Sequence, residues 1–142
     1  METRFFEILP DEKRVIVEYL TTYLRSRPDI LFAYLHGSFF SGDRFRDIDI
    51  AVYLKPPFPS SLQVELEMEA ELGQGVKRYP MEVRVLNHAP LSFRYNVIKH
   101  GEPIVVVDDD LRCDFMEATL SHYFDFAPFR TMYLKEALGS GI

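Results

Sequence analysis

The chain has 142 residues, 47% of them hydrophobic, and a formal net charge of −6. That length and composition suit one ordinary domain over 1–142 that buries a core without disulfides, since Cys113 is the single cysteine. No apolar run approaches the ~20 residues of a membrane helix, and the start Met-Glu-Thr-Arg-Phe-Phe-Glu-Ile lacks a signal-peptide pattern, so a cytoplasmic protein is expected.

No Lys/Arg cluster stands out in the sequence, which argues against nucleic acid as a direct partner, because phosphate neutralisation needs a basic face. Cys113 is expected to be a packed or partly buried thiol.

In chain order, Val15, Ile16, Tyr19, Leu20, Tyr23 and Leu24 recur at helical spacing, so a helix is expected over 11–26, opened by Pro10 and Asp11 and closed by Pro28. Residues 30–36 are a short apolar run and read as a buried strand. Over 47–54 the chain alternates: Ile48, Ile50, Val52 and Leu54 share a core face, while Asp47, Asp49, Ala51 and Tyr53 share the other. Pro56, Pro57 and Pro59 stop that strand. Residues 60–73 alternate as a strand would, yet their Leu, Glu, Met, Ala and Gln favour helix. Ser60 with Gln63 makes a capping box, so a helix is expected. Residues 81–86 alternate, with Met81, Val83 and Val85 facing one way and Glu82 and Arg84 the other. A helix over 91–100 ends at Gly101, and a short strand covers 103–107. A helical pattern covers about 109–138 with a break near Pro128, and the last four residues fray.

The chemistry concentrates at 37–49. Gly37 permits close approach of a phosphate to the backbone at a turn entering a helix, and Ser38 adds a hydroxyl donor. Asp47 and Asp49 are about 7 Å apart on one strand face, at ~3.3 Å per residue. Their carboxylates can converge on two divalent ions roughly 4 Å apart, as phosphoryl transfer uses. Magnesium prefers such oxygen ligands. A third carboxylate is needed to complete the metal site and accept the proton of an attacking hydroxyl; Glu82 is the candidate. Arg44 and Arg46 lie between the two halves of the motif and contact either a triphosphate or only solvent. His36 is a strand-end residue or a nucleotide contact.

Gly-Ser, a short loop, Asp-x-Asp and a later carboxylate-bearing strand resemble the DNA polymerase β-type nucleotidyltransferase superfamily over about 30–107. The tail is similar to the MntA branch, antitoxins paired with HEPN-domain toxins. Its features are Val85-Leu86-Asn87-His88-Ala89-Pro90, Val97-Ile98-Lys99-His100-Gly101-Glu102-Pro103-Ile104 and Tyr123-Phe124-Asp125-Phe126. The resemblance implies an α+β fold, a mixed β-sheet flanked by helices with C-terminal helices. It implies ATP as substrate and two Mg²⁺, with Gly37 and Ser38 on the nucleotide, and Asp47, Asp49 and Glu82 as metal ligands and catalytic acids. It also implies transfer of AMP to a tyrosine of a HEPN toxin, in a hetero-oligomer with it.

Two departures from the family stand out. The loop between Ser38 and Asp47 holds eight residues, shorter than is usual, and Glu82 replaces the usual Asp, one methylene longer. An antitoxin that only covers its toxin, or a nucleotidyltransferase acting on small molecules, are the alternative functions. The aromatics Tyr123, Phe124, Phe126, Phe129 and Tyr133 are either core of the last helices or a partner surface.

Overall fold

The structure, a computed structural model, describes residues 4–125. It runs β1 (Phe6–Glu7), α1 (Pro10–Ser26), β2 (Ile30–His36), α2 (Gly37–Ser41), β3 (Arg44–Phe45), β4 (Ile48–Leu54), α3 (Ser61–Gly75), β5 (Met81–Val85), α4 (Leu91–His100), β6 (Glu102–Val106) and α5 (Asp109–Asp125). The main sheet has the order β5-β4-β2-β6. β4 and β5 are parallel, while β2 is antiparallel to both β4 and β6. This is the expected mixed sheet flanked by helices. β1 and β3 make a separate ribbon with Phe6 opposite Phe45. Two-residue strands are too short for alternation to reveal, so sequence reading passes over them.

The alternation of β4 is realised on both sheet faces. Ile48, Ile50, Val52 and Leu54 join one apolar cluster with Ile16, Leu20 and Leu24 of α1 and Val64, Met68 and Leu72 of α3. Ala51 joins a second, with Phe32 and Tyr34 of β2, Val97 of α4 and Phe115 of α5. The sheet therefore has helices on both sides, and its central strands are buried almost throughout.

Helix α1 starts on Pro10, whose missing N–H costs nothing at a first helical position. Its buried stripe is narrower than the sequence suggests: Val15 is 59% exposed and Tyr19 37%. In α3 the ambiguity between strand and helix resolves as helix. Ser60 Oγ accepts from the Gln63 N–H at 3.0 Å, capping the start. Val64, Met68 and Leu72, four residues apart, are buried, whereas Leu62 and Leu66 face outward.

Cys113 is a correction. It is exposed on α5, because that helix turns Phe115 and Thr119 inward. Tyr95 of α4 stacks on Tyr123 of α5 at 3.8 Å with the rings 4° from parallel, and Phe124 is exposed beside them. The expected break near Pro128, the helix beyond 125 and the aromatics Phe126, Phe129 and Tyr133 lie outside the described residues.

Candidate active site

β2 carries a buried run to His36, where the chain turns into α2. Gly37 makes that turn with φ of 77°, a conformation side-chain-bearing residues avoid. It also makes room: a Cβ here would overlap Asp49 Oδ2 and stand 2.9 Å from Asp49 Cγ. No side chain caps the start of α2, so its first N–H groups are free of an internal partner of that kind. Ser38 is exposed next to Gly37. Lys13 of α1 steadies the far end of α2, donating to the carbonyls of Phe40 and Gly42 at 3.4 Å each.

The acids come from two parallel strands. His36 of β2 pairs with Asp49 of β4, and Asp49 pairs with Glu82 of β5. One row thus crosses three strands, with Asp47 just before β4. Carboxylate oxygens of Asp47, Asp49 and Glu82 lie within 4.8 Å of one another, each residue half-buried. The extra methylene of Glu82 does not carry it away from the two aspartates.

Burial pushes the Asp49 carboxyl up to about 8, and the neighbouring charges of Asp47 and Glu82 add to the rise. Burial lowers the His36 pKa, against the pull of Glu82 and Asp47. Its Nε2 is buried without a hydrogen-bond partner among the described residues, and its ring meets Phe93 edge-on at 5.6 Å. A crowded set of carboxyl oxygens with one member held near neutrality is short of positive charge. Hard oxygen donors in that state fit a magnesium ion, which favours the charged form of each.

Glu82 is positioned twice over. Arg84, two residues on and on the same face, approaches its Oε1 with Nε at 3.4 Å. The next backbone group, the Val83 N–H, donates to Glu69 Oε2 of α3 at 2.8 Å, and the Val85 N–H donates to Glu65 Oε2 at 2.8 Å. Glu65 and Glu69 are one helical turn apart, so α3 fastens β5 along its length.

The structure brings Gly37, Asp47, Asp49 and Glu82 together, with Ser38 adjoining. It does not bring Arg44 and Arg46 to them. Arg44 lies over the Phe5 ring at 5.1 Å. Arg46, in the bend between β3 and β4, lines a cavity of about 610 Å³ together with Glu69 and Gly73 of α3. Among the described residues neither arginine forms an ion pair with the three acids. Sequence reading passed over Lys13, Glu69 and Arg84 as parts of the site. Only Arg84 carried a local signal, its alternation in step with Glu82.

The family model for polymerase beta, nucleotidyltransferase, matches residues 18–110. No curated protein matches the chain significantly. Among solved structures it is similar to a tri-AMPylated Shewanella oneidensis HEPN toxin in complex with MNT antitoxin, at 19% identity and TM-score 0.67, covering 89% of this chain and 99% of that one. It is similar to the toxin–antitoxin MntA–HepT at 18% identity and TM-score 0.66, covering 89% and 99%. A toxin–antitoxin with AMP-PNP matches at 22% identity and TM-score 0.64, covering 92% and 100%. At these identities the likeness is one of fold.

Proposed function

The chain belongs to the polymerase beta nucleotidyltransferase family, and from that premise we propose that it is a magnesium-dependent adenylyltransferase antitoxin. It transfers AMP from ATP to a tyrosine hydroxyl of a HEPN-domain toxin. The observation that carries this reading is the convergence of three carboxylates, oxygens within 4.8 Å, beside a turn only glycine fits. The adenine nucleotide and the acceptor are supported by likeness to antitoxins seen with AMP-PNP and with an AMPylated toxin. Action in the cytoplasm accords with the lack, among the described residues, of any helix long and apolar enough to cross a membrane.

Asp47, Asp49 and Glu82 would hold the magnesium, which when bound offsets the charge of the phosphates and of the acids themselves. The Gly37–Ser38 turn binds the phosphates with backbone N–H groups and the Ser38 hydroxyl. Glu82 accepts the proton of the acceptor hydroxyl, held for that task by Arg84 and by the anchoring of β5. The hydroxyl oxygen forms a bond to the α-phosphorus as the bond to the β-phosphate oxygen breaks, and pyrophosphate leaves.

The test is mass spectrometry of the HEPN partner after incubation with this protein, ATP and magnesium. Added AMP on a tyrosine is expected, and Asp47→Ala lowers its rate at least about 100-fold. A partner neutralised equally well by Asp47→Ala, with no AMP attached, means that the protein inhibits by covering its toxin.

A further inference from the structure

The chain carries six more acidic than basic residues, yet one cavity gathers four of its cations. Arg4, Arg46, Lys77 and Arg78 line the space of about 610 Å³ beside Met81. Its single lining carboxylate, Glu69, already accepts from the Val83 N–H. Arg78 pairs with Glu12 outside, at 2.9 Å. Among the described residues Arg46 and Lys77 form no ion pair.

The position of this cavity says what it serves. Arg46 and Met81 are the chain neighbours of Asp47 and Glu82, but the cavity they line is shared with Glu69 and Gly73 of α3. That helix packs on the Ile48 and Ile50 face of β4, whereas Asp49 lies on the other face with Ala51. A nucleotide at the acids is therefore not what fills it. In the sheet order β5-β4-β2-β6, the Gly37 turn lies on one side of β4 and Glu82 on the other. Attacking and leaving oxygens stand roughly in line during phosphoryl transfer. If pyrophosphate leaves over Gly37 and Ser38, the acceptor hydroxyl enters from the β5 side, where the basic cavity opens one residue beyond the acids.

We propose that this cavity seats an acidic segment of the acceptor protein, so that the enzyme prefers hydroxyls flanked by Asp and Glu. The inference rests on the transferase reading above and adds the class of acceptor sequence. The segment wraps the rim, its carboxylates on Arg4, Arg46 and Lys77 and its hydroxyl at Glu82. Opposite charge of this kind governs partner choice and encounter rate more than total affinity.

The probes are two fluorescein-labelled peptides, Glu-Glu-Glu-Tyr-Glu-Glu and Lys-Lys-Lys-Tyr-Lys-Lys, titrated with the full chain and followed by anisotropy. The acidic peptide should bind at least about 10-fold more tightly at low salt and lose that margin as salt is raised. Lys77→Glu and Arg4→Glu, both at exposed positions, should each weaken it about 10-fold and leave ATP affinity unchanged, whereas Lys77→Arg, which keeps the charge, should bind as the unaltered chain does. Equal binding of the two peptides, or indifference to both reversals, overturns the proposal. So does an equal loss of ATP affinity, which would make the cavity part of the nucleotide site. Binding needs no turnover, so the two readings fail separately. AMP transfer without acidic preference refutes the cavity alone. Acidic preference without AMP transfer refutes the transferase.

Discussion

Gly37→Ala puts two independent penalties on one atom. The first is conformational: an alanine held at φ of 77° costs about 1–2 kcal/mol relative to glycine. For a domain of this size that lowers the melting temperature by roughly 3–10 °C. The second is steric and falls on the chemistry, because the new Cβ overlaps the Asp49 carboxylate and forces it aside. A displacement of ~1 Å in a reacting constellation costs about 100-fold in rate. The assay is transfer of label from ATP marked at the α-phosphate to the HEPN partner, run well below the melting temperature measured in parallel. Gly37→Asn separates the two penalties, since asparagine tolerates positive φ better but still carries a Cβ. Its stability should recover in part while transfer stays low. Transfer by Gly37→Ala at the unaltered rate, or a loss fully explained by unfolding, would refute the assignment of Gly37 as the residue that makes room for Asp49.

Asp49 gives a pH dependence of stability. Its folded pKa of about 8 stands above the ordinary 3.8, so over that range the folded protein keeps a proton the unfolded chain has released. Without magnesium the melting temperature should fall as pH rises towards about 8 and then level off. Magnesium should raise it most at the alkaline end, and a chelator should restore the slope; a flat magnesium-free profile would contradict the crowding of the acids. Asn87→Ala removes a side chain that accepts from the Leu54 N–H at 2.9 Å and donates to the Leu54 carbonyl at 2.8 Å. It should cost about 1–3 kcal/mol in urea unfolding with the slope unchanged. Glu69→Ala and Glu65→Ala each free one N–H of β5 and should cost about 1–2 kcal/mol apiece. Glu69→Ala, beside Glu82, should also slow transfer several-fold more than Glu65→Ala does; equal rates would show that anchoring at Val83 is irrelevant to Glu82.

What could be read from the chain alone was what is local in it. The period of β4 sorts Ile48, Ile50, Val52 and Leu54 from Asp49 and Ala51, and the structure buries the first four in one cluster and Ala51 in another, with Asp49 half-buried at the acids. The meeting of Glu82 with Asp49, thirty-three positions apart, is not local. It depends on the parallel pairing of β4 with β5, which no period reveals; the need for a third carboxylate and the alternation of 81–86 nominate Glu82, and only the resemblance to a family implies that it joins the two aspartates. Alternation misleads in 60–73, where apolar residues at every second position include both buried and outward members of a helix. Proximity in sequence leaves Arg44 and Arg46 open between a triphosphate contact and solvent, and only the structure sets Arg44 over the Phe5 ring and Arg46 in the cavity beside Met81.

The glutamates that fasten β5 also decide how this sheet can meet another molecule. A bare border of N–H and C=O groups invites a foreign strand to zip alongside. Here the Val83 and Val85 donors on the outermost strand are already answered from within the chain by Glu69 and Glu65. The opposite border, β6, contains Pro103, which has no N–H to offer. Neither flank is suited to extension by main-chain pairing, which guards against end-to-end aggregation. A partner has to be read through side chains and shape, and such contacts can discriminate one sequence from another.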